Sequence, residues 1–543
     1  MFVLLVSIFL TALLFYACLY KHGSREVKNL TSWPMFGNML GTFTQKEHFR
    51  DILQRAYNAF PDQRYFIFNN FRSPVVIIRD LDLIKQITIR DFSYFEDHIG
   101  GVDVKIDPIF GNNLFSLKGR KWHEMRYTLS PAFTNAKMKE MLEYVEECAN
   151  QMVNYYLEET NNLISGDMDY LDVEMKEAFT RYTNDVIASV AFGVKVNSLM
   201  DKHSEFYEMG KLAISQTRLK PEFTRLQVIK QILMASFPRI AKHFRGPVFS
   251  LPVSSFFKGL VQTTMKTRKE QNIVRRDLIQ LLMEAKAGLS KKLPNKEIDI
   301  EQSGKITNGK DGIDSDIAPA VQNEWTDDEI AAQAMIFFIS GLETSSTFLS
   351  FLAYELAKNP CVQDRLQEEI DDTQKETGGK IDHTTLQNMK YMKMVVYECL
   401  RMWPTVISTD RRCNKTYQLP SPSGFTGKPL TLNPNDAIWI PIYGIHHDPK
   451  YYTDPEKFDP ERFNEERINE IIPFSYLPFG TGPRGCIGIR FALMETKIVI
   501  FKILLHFDFI VTRKTQIPAK LKNNSFNLHC ENGTWIGLRK RTE

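Results

Sequence analysis
The stretch PFGTGPRGCIG, Pro478 to Gly488, sets one cysteine among four glycines, with an arginine two residues ahead of it. Taken alone, such a stretch reads as a Gly/Pro turn whose cysteine is incidental, so the surrounding sequence has to decide. It runs into IGIRFALMETKIVIFKILLHF, where Phe491, Met494, Ile498, Phe501 and Leu505 fall on one helical stripe. Cys486 therefore stands just before or at a helix N-terminus. Free N–H groups there favour an anionic sulfur, and Arg484 adds a positive charge. Gly480, Gly482, Gly485 and Gly488 strip the loop of side-chain bulk, so a flat partner can lie on the backbone beside the Phe479 ring. A thiolate so placed is a nucleophile or a metal ligand. The nucleophile wants a histidine base nearby, and the stretch holds none.

Phe479, Gly482, Arg484, Cys486 and Gly488 follow F-x-x-G-x-R-x-C-x-G, a pattern that resembles the heme-ligand loop of the cytochrome P450 monooxygenases. The resemblance implies that the Cys486 thiolate is the axial metal ligand of heme b (iron protoporphyrin IX), pushing electron density toward O–O cleavage. Phe479 and Gly480 would lie against the macrocycle.

Other pieces stand upstream in the family's order. In WTDDEIAAQAMIFFISGLETSSTFLSFLAYELAKN, Trp325 to Asn359, Thr326 and Glu329 make a capping box with Asp327 and Asp328 in the first turn, so a long helix starts there. Gly341 weakens its interior and Thr344 can bond back to the carbonyl of Ser340, which predicts a kink. An ordinary small-residue helix contact would explain the same residues. Ser340 to Thr344 resemble the family's Ala/Gly-Gly-x-Asp/Glu-Thr oxygen motif, with Ser340 departing from its first position. The resemblance makes Thr344 the organiser of a water that delivers protons, and Glu343 the relay from solvent. Glu398 and Arg401 in MVVYECLRMWP match E-x-x-R, with Arg462 of FDPERF as third member; apolar neighbours predict that all three are buried and structural.

Propionates need cations. Trp122 and Arg126 lie at i, i+4 and present an indole N–H and a guanidinium to one anion, as in the family's W-x-x-x-R. Arg411 and Arg484 occupy the other positions where the family contacts propionates, although Arg412 competes with Arg411. The basic cluster Lys118, Arg120 and Lys121 beside them suits an acidic electron donor.

The chain has 543 residues, 43% of them hydrophobic, with a formal net charge of +3 and seven scattered cysteines. Those figures describe a large ordered protein, give no basic excess for nucleic acid, and form neither a disulfide framework nor a zinc pattern. Residues 2–20 carry no charge and are long enough to cross a membrane once. With no basic n-region they read as an uncleaved anchor, and Lys21, Arg25 and Lys28 hold the rest on the cytosolic side. A strand-like pair is expected over Arg64 to Asp80 with its turn at Ser73-Pro74, helices over Lys118 to Leu282, and a polar loop over Gly288 to Asn323. The expected fold is mainly α with a small β region: an N-terminal transmembrane anchor at 1–20, a linker at 21–45 and a single catalytic domain at 46–543.

By resemblance the function is that of a monooxygenase. It would use dioxygen and electrons from NADPH-cytochrome reductase to oxidise a small hydrophobic substrate, a xenobiotic or an endogenous lipid, from the endoplasmic reticulum membrane in contact with membrane lipid. GNNLFSLKGRKWHEMR and LSPAFTNAKMKEM look most like microsomal insect enzymes acting on foreign compounds. A heme-thiolate isomerase or dehydratase and a non-enzymatic heme carrier are the rival classes sharing such a loop.

Overall fold
The computed structural model describes residues 9–11, 27–33, 36–100, 102, 104–162, 169–217, 246–287, 325–422 and 428–541. The polar loop and most of the expected anchor lie outside these residues. So do Lys21 and Arg25. Phe9 to Thr11 are helical and exposed.

The longer helices, in chain order, are α1 (Phe49–Asn58), α2 (Gly119–Leu129), α3 (Asn135–Asn162), α4 (Met175–Ile187), α5 (Glu205–Thr217), α6 (Leu251–Gln271), α7 (Asp327–Lys358), α8 (Pro360–Thr377), α9 (Lys390–Met402) and α10 (Ile489–Leu504). The strands are β1 (Tyr65–Asn70), β2 (Ser73–Ile78), β3 (Tyr170–Glu174), β4 (Thr409–Arg412), β5 (Tyr417–Leu419), β6 (Leu430–Leu432), β7 (Ala437–Ile440), β8 (Phe507–Ile510) and β9 (Trp535–Lys540). They form sheets ordered β1-β2-β7-β4, β3-β9-β8 and β5-β6. The mainly helical chain with small sheets is the architecture expected from the periodicity.

Two local expectations change. The hairpin turns at Phe71-Arg72, not at Ser73-Pro74, which are already paired with Asn70 and Asn69. Phe71 takes the positive φ of 54° that a tight hairpin turn demands, and no glycine marks it in sequence. The supposedly helical middle also contains β3, recruited by pairing with β9 more than 360 residues later, a contact that local periodicity does not carry. Part of the expected linker is built into the domain, since Asn29 bridges Ile67 and Gly37 bridges Asn70.

α7 is the axis of the molecule. Thr326 Oγ1 accepts the Glu329 N–H at 3.2 Å, and Glu329 Oε2 accepts the Thr326 N–H at 3.0 Å, completing the capping box. The helix continues without a break to Lys358 and is buried almost throughout its second half. Its length and hydropathy would suit a membrane, yet 67% of its most apolar window is packed inside the protein, which makes it a core helix. Gly341 lets it touch α4, because a Cβ there would fall 2.6 Å from Ile187 Cδ1. The small residue therefore serves helix packing. Farther along, Trp403 stacks on Phe351 with ring centroids 4.1 Å apart and its Nε1 donates to Glu355 Oε1 at 3.0 Å, tying the end of α9 to α7.

Candidate active site
The cysteine loop closes on itself before α10 begins. The Cys486 N–H donates to the Phe479 carbonyl at 2.9 Å, and the Gly485 N–H to the Gly482 carbonyl at 2.8 Å. Its glycines do different jobs. Gly482, at φ 72°, would drive a Cβ to 2.0 Å from the Thr88 carbonyl, so it serves close packing against the π-helical turn Gln86–Arg90. At Gly480 and Gly488 the nearest atom to such a Cβ is 3.9 Å away, and these two give the loop its open face. Gly488 caps α10, with Cys486 two residues ahead of it.

Cys486 is accessible yet enclosed by protein, and burial pushes its thiol up, opposed by the Gly488 N–H and the charge of Arg126. The helix terminus alone therefore does not hold a thiolate; a cation at the sulfur is needed as well. The nearby positive charge comes from Arg126, not from the adjacent Arg484.

Three arginines face the loop with too few anions for them. Burial pushes Arg126 down to about 10, with the Cys486 charge opposing, and its guanidinium makes no hydrogen bond or ion pair among the described residues. Arg411, 1% exposed, is likewise pushed down to about 10, and its Nε is buried without a partner. Its Nη2 donates to the Thr481 carbonyl at 3.3 Å, which brings it against the cysteine loop. Arg412, next along β4, points to the other side, toward the Ile99 carbonyl at 2.6 Å. Alternation on the strand thus favours Arg411 over Arg412. Arg484 sits 4.0 Å over the Trp122 ring, is pushed down by burial to about 9, and has Asp97 at 3.5 Å. Its nitrogens also hold the carbonyls of Glu96, Leu114 and Leu117 at 2.7, 3.3 and 2.8 Å, so it anchors the segment before α2. Asp410 is taken up by His98 Nδ1 at 3.0 Å and the Ile99 N–H. A guanidinium keeps its charge at neutral pH, and burying one without an anion is costly. This donor set, beside a sulfur on an open backbone face, fits a flat group carrying a metal and two carboxylates.

Glu398, Arg401 and Arg462 meet as expected. Arg401 Nε and Nη2 reach Glu398 Oε2 and Oε1 at 2.8 and 2.9 Å, and Arg462 Nε lies 3.3 Å from Oε1. Sequence reasoning missed the residue that connects this triad to the cysteine loop. His446 is fully buried; its Nδ1 lies 3.1 Å from the Arg401 carbonyl and its Nε2 accepts the Leu477 N–H at 2.7 Å, two residues before Phe479. Since Nε2 accepts, Nδ1 carries the proton. Nothing local marks it, as the next residue is also a histidine. Burial, helped by the charge of Arg401, pushes His446 down to about 3 from 6.5. The native state refuses a proton that the unfolded chain takes up below about pH 6.5. The stabilisation is therefore whole above that pH and is lost toward pH 3, at about 1.4 kcal/mol per pH unit. Urea unfolding midpoints measured from pH 7 to 4 should fall less steeply in His446→Gln than in the native protein.

Thr344 Oγ1 donates to the Ser340 carbonyl at 2.5 Å, the back-bond read from the sequence. Glu343 faces elsewhere, into a cluster with Lys176 and His529. A narrow gap with almost no free volume lies between Ile109, Phe110, Phe249, Met335, Ile336 and Ile339, with Asn113 at its wall. Phe249, from the segment before α6, meets Met335 and Ile336 of α7 there.

The cytochrome P450 family profile matches residues 27–536. The chain belongs to the cytochrome P450 family. Among its relatives are cytochrome P450 9e2 of Blattella germanica, 42% identical over 95% of this chain and 93% of that protein, and the probable cytochrome P450 9f2 of Drosophila melanogaster, 38% identical over 93% and 92%. The probable cytochrome P450 6a13 of Drosophila melanogaster is 38% identical over 99% of both chains. This cytochrome P450 is thus a heme-binding monooxygenase of insect type.

Proposed function
We propose that this cytochrome P450 inserts one oxygen atom into a small hydrophobic substrate, a xenobiotic or an endogenous lipid, at the endoplasmic reticulum membrane. NADPH-cytochrome reductase would supply the electrons: RH + O₂ + 2 e⁻ + 2 H⁺ → ROH + H₂O. The observation that carries the reading is the open-faced cysteine loop beside Arg126, Arg411 and Arg484, whose charges meet few anions. Heme b, when bound, supplies the electron transfer and oxygen chemistry.

The chain's own residues do the rest. Cys486 ligates the iron, with the Gly488 N–H and Arg126 favouring its negative charge. Trp122, Arg126, Arg411 and Arg484 bind and orient the propionates, Phe479 and Gly480 seat the ring, and apolar side chains such as Phe110, Phe249 and Ile339 line the substrate side. Thr344 holds a water for proton delivery and Glu343 feeds it. Lys118, Arg120 and Lys121 are exposed and form the face for an acidic donor. An uncleaved anchor at 1–20 holds the domain, residues 46–543, on the cytosolic side of the membrane.

Two experiments test this. Thr344→Ala should keep heme and substrate binding but consume NADPH with most of it lost as peroxide; an unchanged ratio of product to NADPH would remove Thr344 from the proton path. Binding spectra with hydrophobic insecticides, plant allochemicals, sterols and fatty acids should show water displaced at the metal by at least one class. A flat response across all of them would overturn the substrate reading.

A further inference from the structure
Gln333 is fully buried in α7, about two turns ahead of Ser340, and its amide serves a segment more than 200 residues away. Its Oε1 accepts the Leu114 N–H at 2.9 Å. Its Nε2 donates to the Asn112 carbonyl at 2.7 Å and lies 3.3 Å from the Glu329 carbonyl. A backbone N–H only donates and a carbonyl only accepts, so a single orientation of the amide satisfies both ends.

The segment it holds has little regular structure of its own. The one-turn helix Pro108–Gly111 is followed by residues 112–118 with neither helix nor strand. Side chains do the work of a ladder there. Asn112 Nδ2 donates to the Pro108 carbonyl at 2.9 Å, and Asn113 Oδ1 accepts the Ser116 N–H at 2.8 Å. Asp107 is 2% exposed. Its Oδ1 accepts the Ile109 and Phe110 N–H groups at 3.1 and 2.8 Å, and its Oδ2 those of Val248 and Phe249 at 2.9 and 3.4 Å. Asp107–Leu117 is therefore a panel pinned at three places: to α7 by Gln333, to the stretch before α6 by Asp107, and to the cysteine loop by Arg484 through the Leu114 and Leu117 carbonyls.

Ile109, Phe110 and Asn113 of this panel face Phe249 and Ile336 across the narrow gap on the substrate side, with the Phe110 and Phe249 ring centroids 5.7 Å apart. Gln333 does not line that gap. With almost no free volume between the walls, a small shift of the panel changes what fits there.

We infer that Gln333 is a specificity-determining positioning residue: by fixing Asn112 to Leu114 on α7 it sets, together with Asp107, how large an apolar ligand the substrate side admits. This deepens the proposed function and rests on its reading of that side. Gln333→Leu keeps the size of the side chain and removes both bonds, which strands the Leu114 N–H and the Asn112 carbonyl in a buried place and drives the panel off α7.

The test uses the full-length heme-loaded protein and two nitrogen ligands of different size, imidazole and 4-phenylimidazole, each titrated by the red shift of the heme band. In Gln333→Leu the dissociation constant of 4-phenylimidazole relative to that of imidazole should fall several-fold, with the spectrum of the reduced carbon-monoxide complex unchanged. Asp107→Ser still caps Ile109 and Phe110 but cannot reach residue 248, and it should shift the ratio the same way. Ile370→Ala, a buried change in α8, should lower the denaturation midpoint and leave the ratio native, which separates positioning from lost stability. In hydrogen exchange the Leu114 amide should lose protection in Gln333→Leu and keep it in Ile370→Ala. Should Gln333→Leu fail to take up heme, Gln333→Met is read in the same way. A shift confined to the change at 333 would strike Asp107 from the set. If both ligands bind and the ratio in Gln333→Leu stays native or moves toward the smaller ligand, the role of Gln333 is wrong and the heme reading stands. If neither ligand shifts the heme band of the native protein, that reading falls and this inference falls with it.

Discussion
Cys486→Ala should abolish the thiolate-type absorption of the reduced carbon-monoxide complex and, with it, product formation. No other described cysteine is placed to take over. Among the described cysteines Cys361 is on the surface, and Cys148, Cys399, Cys413 and Cys530 are buried with their thiols pushed up. None is described on the open backbone face of the loop. The loop fold itself should survive, because its closing bonds run through the backbone N–H of residue 486 and the Phe479 carbonyl. Heme should then be retained weakly through the arginines and lost on dialysis. An unchanged carbon-monoxide spectrum would remove Cys486 from the iron.

Glu398→Leu should cost about 3–5 kcal/mol of unfolding free energy, the magnitude seen when one member of a buried ion pair is deleted. Arg401 and Glu398 are fully buried and Arg462 is 6% exposed, so the substitution strands two cations in apolar surroundings. The Arg401 guanidinium also holds the carbonyls of His446 and Pro455 at 2.8 and 2.7 Å, and its release would loosen the link from His446 to Leu477. The damage should therefore reach heme retention as well as the denaturation midpoint. Leucine at both 398 and 401 should be less destabilising than the single change, since it strands one buried charge fewer. A midpoint within error of native would show that the triad adds no stability.

Much of the site was legible in linear sequence because its parts are local. The loop glycines, the capping box at Thr326 and Glu329, the back-bond from Thr344 to Ser340 and the ion pair three residues apart all depend on near neighbours, and short-range backbone geometry dictates them. Other features were illegible for the opposite reason. β3 is a strand only because β9 pairs with it, and the hairpin turn at Phe71 carries no glycine signal. The choice between Arg411 and Arg412 needed the strand's facing, and the work of Gly341 needed the position of Ile187.

By itself the sequence determined the family, the cysteine loop, the long axial helix and the residue types proposed to meet heme, since each is written in spacing along one element. The tertiary structure alone decided what each group faces. Arg484 is largely spent on three carbonyls, Arg126 acts electrostatically on the sulfur, and Glu343 turns into a cluster built by residues 176, 527 and 529. A charge's role depends on burial and on partners brought from hundreds of residues away, and only the packed chain fixes either.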